Sequence, residues 1–154
     1  MTQKLPVSVL VVVHAGGQVL LLERAARPGD WQSVTGSLDR MDEPPAEAAQ
    51  RELREETGID APLPKLRACN LAYTFEIFPH WRHRFAPGIT HNTEHVFSLA
   101  LPAPVPVTLA RDEHTASQWL PWAQAAALCF SWSNRDALRI LSPFLERASV
   151  PCAR

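Results

Sequence analysis

Glu52, Glu55 and Glu56 are the residues whose type and spacing point most directly to chemistry. On a helix, at about 100° per residue, they fall on one face at the neighbour spacings i, i+3 and i+4. Arg51 stands one turn before Glu55 and can hold it. Carboxylates placed this way repel one another, so the helix alone gains nothing from them. A hard divalent cation reverses that sign. Carboxylate oxygens are the ligands that Mg2+ and Mn2+ prefer, particularly where phosphate supplies the rest. An isolated ExxEE segment is nonetheless most often a solvated acidic face, so the surrounding residues decide the reading.

Those residues predict a helix. Pro44 and Pro45 suit a first turn, where a missing N–H costs nothing. Gly58 suits the left-handed stop after a last turn. Ala46, Glu47, Ala48, Ala49, Gln50 and Leu53 between them are helix formers. Ala46, Ala49, Leu53 and Thr57 form a narrow stripe that can lie against a sheet, adjacent to the acidic face.

The order Gly36, Glu43, seven residues, then Arg51-Glu52-Leu53-x-Glu55-Glu56-x-Gly58-Ile59 resembles the Nudix box, G-x5-E-x7-R-E-U-x-E-E-x-G-U with U aliphatic. Everything from Glu43 to Ile59 matches. The departure is in the loop, where six residues rather than five separate Gly36 from Glu43 and the usual Gly before the Glu is missing. The resemblance implies an α/β/α sandwich with a mixed sheet, metal-dependent hydrolysis of a phosphoanhydride, and Mg2+ or Mn2+ as cofactor.

Stretches outside the box narrow the resemblance. Trp31 to Ser37, Phe75-Glu76-Ile77-Phe78, Arg82 to Gly88, Asn92-Thr93-Glu94 and Ser131 to Arg135 are similar to the bacterial branch of the family that cleaves a pterin triphosphate. That branch converts 7,8-dihydroneopterin triphosphate to the monophosphate and pyrophosphate. By position, the resemblance implies that Glu52, Glu56 and Glu113 hold the metal. It implies that Lys4, Arg24, Thr35, Phe75, Glu76, Ile77, Phe78 and Ser131 contact substrate.

The residues themselves permit these roles. Hydrolysis needs an aligned water and neutralised phosphate oxygens, and a divalent cation serves both ends. Glu55 is a third ligand or a base, and Glu113 completes the site or accepts a proton from water; by itself Glu113 reads as a surface loop residue. Lys4 and Arg24 can pair with phosphate oxygens, or be solvated strand-end charges. Arg82, His83 and Arg84 can draw in an anion, or be an exposed hairpin tip. Phe75 and Phe78 can flank a flat ring and Glu76 can accept from its amino groups; equally, the aromatics can belong to the core. Ser131 is an N-cap, a substrate contact, or both. None of the six histidines has ligand spacing to another, so none is given a metal role. Two other readings compete: a general hydrolase of (d)NTPs or nucleoside diphosphate derivatives, and a non-catalytic nucleotide-binding module. Retention of all three box carboxylates argues against the second.

Composition sets bounds. The 154 residues, 46% of them hydrophobic, suit one domain spanning 1–154. A net charge of −1 gives no general pull on nucleic acid or anionic membrane, so a polyphosphate needs a local site. Cys69, Cys129 and Cys152 are widely spaced with no C-x-x-C, which argues against a disulfide framework or zinc site and fits a reducing cytoplasm. Leu5 to Val13 is too short to span a bilayer and has no secretory cleavage pattern.

In chain order, strands are expected over Val7 to His14, Val19 to Arg24 and Trp31 to Thr35. The acidic helix comes next. One or two strands follow over Leu66 to Phe78, and others over Thr93 to Leu101 and Ser117 to Leu120. Pro121 starts a helix through Leu128, and Ser131 or Ser133 caps a last helix carrying Ala137, Leu138, Leu141 and Leu145.

Overall fold

The computed structural model describes residues 3–146; Cys152 lies outside them. The strands are β1 (Val7–Ala15), β2 (Gln18–Arg24), β3 (Trp31–Gln32), β4 (Val34–Ser37), β5 (Arg67–Glu76), β6 (His91–Ala100) and β7 (His114–Pro121). The α-helices are α1 (Pro45–Thr57), α2 (Trp122–Leu128) and α3 (Trp132–Leu145). Together the strands form one mixed sheet with the path β3-β2-β1-β6-β5, to which β4 is joined through β1 and β7 through β2. The expected α/β/α sandwich is the architecture observed.

The sheet's two faces are built by strand alternation. Val9, Val11 and Val13 of β1 point to the side covered by α1, where they meet Leu53, Ala48 and Ala49. Leu10 and Val12 point the other way, to Trp122, Ala125, Ala137 and Leu138 of α2 and α3. The β-branched run of β1 is therefore buried on both faces, as a central strand should be. It pairs in parallel with β6, from Val7 opposite Thr93 to His14 opposite Ala100.

α1 begins and ends where its sequence requires. Pro44 is its N-cap, and Gly58 closes it at φ 74°, its N–H donating to the Arg54 carbonyl. Ala49, Leu53 and Thr57 of the expected stripe are buried, Ala48 joins them, and Ala46 is only partly covered. Ser131 caps α3 by accepting from the Asn134 amide at 3.2 Å.

Some expectations need correction. Trp31 to Thr35 is not one strand: it breaks at Ser33, so that β3 pairs with β2 and β4 with β1. The one or two strands expected over Leu66 to Phe78 are one, β5, ending at Glu76 and preceded by a 3-10 turn at Leu63–Lys65. Pro79–Arg84 is a six-residue 3-10 segment rather than a plain hairpin tip. Among the described residues, no helix is long and apolar enough to cross a membrane, and Cys69 and Cys129 are free thiols.

The break at Ser33 is pinned from α3. Asn134 accepts from the Ser33 amide at 2.8 Å and donates to the Ser33 hydroxyl at 3.0 Å, all in buried surroundings. Asn134→Ala leaves a buried N–H without a partner, which costs about 2 kcal/mol. Chemical denaturation should show a lowered midpoint with an unaltered slope.

Candidate functional site

Helix α1 approaches the sheet beside β4, and there the box carboxylates separate into different environments. Glu56 is buried, at 3% exposure, and its Oε2 has no hydrogen-bond partner. Burial pushes its carboxyl well above the usual range, and the negative charges of Glu52 and Glu113 push it further. The Thr35 backbone amide offsets part of this. Glu52 is also largely covered, with its carboxyl pushed up to about 7 by burial despite the neighbouring Arg51 guanidinium. Glu55 differs: its side chain is 57% exposed and paired only loosely with Arg51, at 3.7 Å.

Arg51 holds the anions in place. Its guanidinium reaches Glu52 at 2.9 Å, Asp39 at 3.1 Å and Glu43 at 3.2 Å, and donates to the Ser37 carbonyl at 3.1 Å. Glu43 is buried, accepts from the Asp39 amide at 2.7 Å, and is held below the usual carboxylate range by its bond to Arg51. The extra loop residue is thus taken up without loss of this contact, in a turn where the Glu43 amide donates to the Arg40 carbonyl. Gly36 has a steric reason to lack a side chain: a Cβ there would fall on the Glu52 carboxyl.

Glu113 enters from the loop before β7. Its amide donates to the Ala110 carbonyl and its carbonyl accepts from the Ala25 amide. Oxygens of Glu56 and Glu113 and a ring nitrogen of His114 lie within 4.8 Å of one another. No histidine is expected as a ligand from sequence, because spacing along the chain does not reveal this meeting. His114 Nδ1 is buried without a partner, while its Nε2 contacts Gln32 at 3.1 Å. An orphaned buried carboxylate oxygen among mutually repelling acids fits a hard divalent cation, for which the nearby imidazole nitrogen is the less suited donor.

A cleft of about 670 Å3 opens beside this cluster. Lys4, Arg24, Thr35, Phe75, Glu76, Ile77, Phe78 and Ser131 all line it, together with Glu56 and Glu113; Glu52 and Glu55 do not. Arg24 is fixed between two rings, 5.0 Å from the Trp81 centroid and 4.9 Å from that of Phe130, and lies 3.7 Å from Asp30. Lys4 is tied at its backbone to Arg84, by a 2.8 Å hydrogen bond, and forms an isolated bridge with Phe85.

The Phe75 to Phe78 stretch divides its roles. Phe75 packs partly against the core, Ile77 is buried, and Phe78 is 52% exposed and stacked on His80. One oxygen of Glu76 is engaged by Arg82 at 2.6 Å, and its side chain is mostly exposed, so water competes for what acceptor capacity remains. The same pair neutralises one charge of the basic segment.

Sequence reasoning missed most of the cleft's polar floor. Asn92 and Glu94 of β6, with Ser8, Ser133 and Asn134, lie along its buried side next to the expected Thr35. The signal was present in the alternation of Asn92, Glu94 and Val96, which puts two polar residues on an inward-facing row. Glu94 is 6% exposed, and its carboxyl is pushed up to about 7 by burial.

That shift carries a stability consequence. A carboxyl raised in the folded state binds more protons there than in the unfolded chain, so its stability contribution is present below about pH 4.5 and is lost as pH rises through about 7. Glu94→Gln removes this loss. Melting curves should show wild type and variant nearly equal at pH 5 and the variant more stable at pH 8, by up to about 3 kcal/mol.

Comparison with known proteins gives the same direction. Residues 4–140 match the NUDIX domain family. The chain is 48% identical over 139 residues to dihydroneopterin triphosphate diphosphatase of Escherichia coli (strain K12), covering 88% of this chain and 91% of the relative. It is 39% identical over 137 residues to the protein of the same name in Haemophilus influenzae, covering 86% and 84%. The solved structure of the E. coli dihydroneopterin triphosphate pyrophosphohydrolase superposes with a TM-score of 0.82 at 45% identity, covering 94% of this chain and 97% of that one. The chain belongs to the Nudix hydrolase family.

Proposed function

We propose that this protein hydrolyses 7,8-dihydroneopterin triphosphate to the monophosphate and pyrophosphate, using a divalent cation. The observation that carries the reading is that every residue assigned to substrate opens onto one cleft, with Glu56 and Glu113 on its wall. The relatives of that enzyme name in E. coli and H. influenzae support it.

Glu52, Glu56 and Glu113 would hold the cation, Mg2+ or Mn2+, with His114 adjacent. When bound, it would neutralise phosphate oxygens and activate water. The protein's own residues do the rest. Arg24, immobilised by its two aromatic neighbours, offers a planar fork of donors to phosphate. Lys4 adds a mobile charge on the same cleft. Phe75, Ile77 and Phe78 give the ring an apolar wall, and the Thr35 and Ser131 hydroxyls offer hydrogen bonds. Glu113, exposed at the cleft, would take the proton from the attacking water; Glu55, outside the cleft, is the less suited base. The free thiols suit the cytoplasm.

A panel measuring pyrophosphate release from dihydroneopterin triphosphate, dATP, dCTP and ADP-ribose tests the substrate. The pterin should be turned over fastest; equal or faster turnover of the nucleotides would transfer the reading to a general nucleotide hydrolase. Glu56→Gln should lower kcat by about 10³ or more and weaken Mn2+ binding by calorimetry while the circular dichroism spectrum is kept. Normal turnover by that variant would remove Glu56 from the chemistry.

A further inference from the structure

Glu94 is a buried acid with unspent hydrogen-bonding capacity on the wall of a ligand-sized cleft. It sits on β6 opposite Tyr73 of β5 and beside Ser8 of β1. The Thr35 hydroxyl donates to its Oε2 at 3.3 Å and the Ser133 hydroxyl to its Oε1 at 3.5 Å. Both bonds are long, and among the described residues no ion pair involves Glu94. A carboxylate has about four acceptor sites, so each oxygen keeps one in reserve. Its polar neighbours are already matched: Asn92 donates to the Ser8 hydroxyl at 2.8 Å, and Asn134 is bonded to Ser33. Burying a charge so thinly satisfied is costly unless a ligand completes it.

We propose that Glu94 is the residue that reads the ring, its carboxylate accepting the paired N–H groups of a 2-amino-4-oxopyrimidine edge. This rests on the pterin reading of the cleft. In that edge a ring N–H and an exocyclic amino group point the same way and match two carboxylate oxygens. Adenine and cytosine instead place a ring lone pair beside the amino group, which faces the carboxylate with like charge. Guanine shares the pterin edge. Glu94 therefore separates pterin and guanine from adenine and cytosine, and does so with a group that Thr35 and Ser133 have already oriented. Glu76, the acceptor suggested by sequence, is mostly exposed and already neutralised by Arg82, so it discriminates less than the buried Glu94 does.

The first test uses the wild-type protein in EDTA, so that neither activity nor metal enters. Fluorescence titration with neopterin monophosphate is compared with its 2-oxo (lumazine) analogue, which presents a carbonyl where the amino group was. The analogue should bind about 30-fold more weakly, the discrimination of one bidentate pair; equal binding overturns the proposal. The second test is Glu94→Gln, whose amide keeps the shape but turns one acceptor into a donor. Its neopterin monophosphate affinity should fall by about the same factor, and its preference for the pterin over the lumazine ring should shrink, with Glu94→Asp recovering part of it. A folded Gln variant that keeps wild-type affinity and preference overturns the assignment. Failure of the pterin reading is seen separately, as turnover of dihydroneopterin triphosphate no faster than dATP by the wild type.

Discussion

The structure depends on holding several carboxylates together before any cation neutralises them. Glu52, Glu56 and Glu113 repel, and the burial of Glu52 and Glu56 makes that repulsion stronger than it would be in water. Arg51 is the internal counterion that makes the arrangement tenable. It sits among Asp39, Glu43 and Glu52, and its bond to the Ser37 carbonyl ties the loop to the helix. Glu56 has no such counterion, and its unpartnered oxygen faces the cluster with Glu113 and His114. Glu52, partly compensated by Arg51, and Glu56, without a counterion, thus stand one helical turn apart.

The sheet performs the second division. Its α1 side carries the anionic cluster and a dry core of Val9, Val11, Val13 and Leu53. The α3 side begins apolar near Leu10 and Val96 and turns polar toward Ser8, Asn92 and Glu94. The break at Ser33 lets β4 leave the β2–β3 hairpin and pair with β1, so Thr35 meets both regions. Its amide faces Glu56 and its hydroxyl faces Glu94. A short strand hydrogen-bonded to the central β1 thus ties the anionic cluster and the polar end of the cleft to one sheet.

Much of the fold was legible because it rests on local physics. Two prolines and a glycine bound α1, a β-branched run marked β1, and a serine marked the start of α3. The box motif was legible for a related reason: its residues are close in sequence, so helix geometry alone brings them near one another. The loop with its extra residue was less transparent, since only the contacts of Glu43 with Arg51 and Asp39 reveal how the insertion is absorbed.

The sequence by itself determined the helix and its acidic face, because both follow from spacing within a few turns of chain, whereas the upstream glycine entered only through the resemblance to the box motif. Tertiary structure alone decided which carboxylates are buried: Glu56 and Glu55 are neighbours in sequence, yet one lies under the sheet and the other in solvent. It also decided that His114 stands beside Glu56, that Arg82 occupies Glu76, and that Glu94 lines the cleft. The places of His114 and Glu94 are set by a loop returning from far along the chain and by strand register, and the Arg82–Glu76 pair, six residues apart, by the 3-10 segment that carries Arg82; burial and long-range pairing have no counterpart in local spacing.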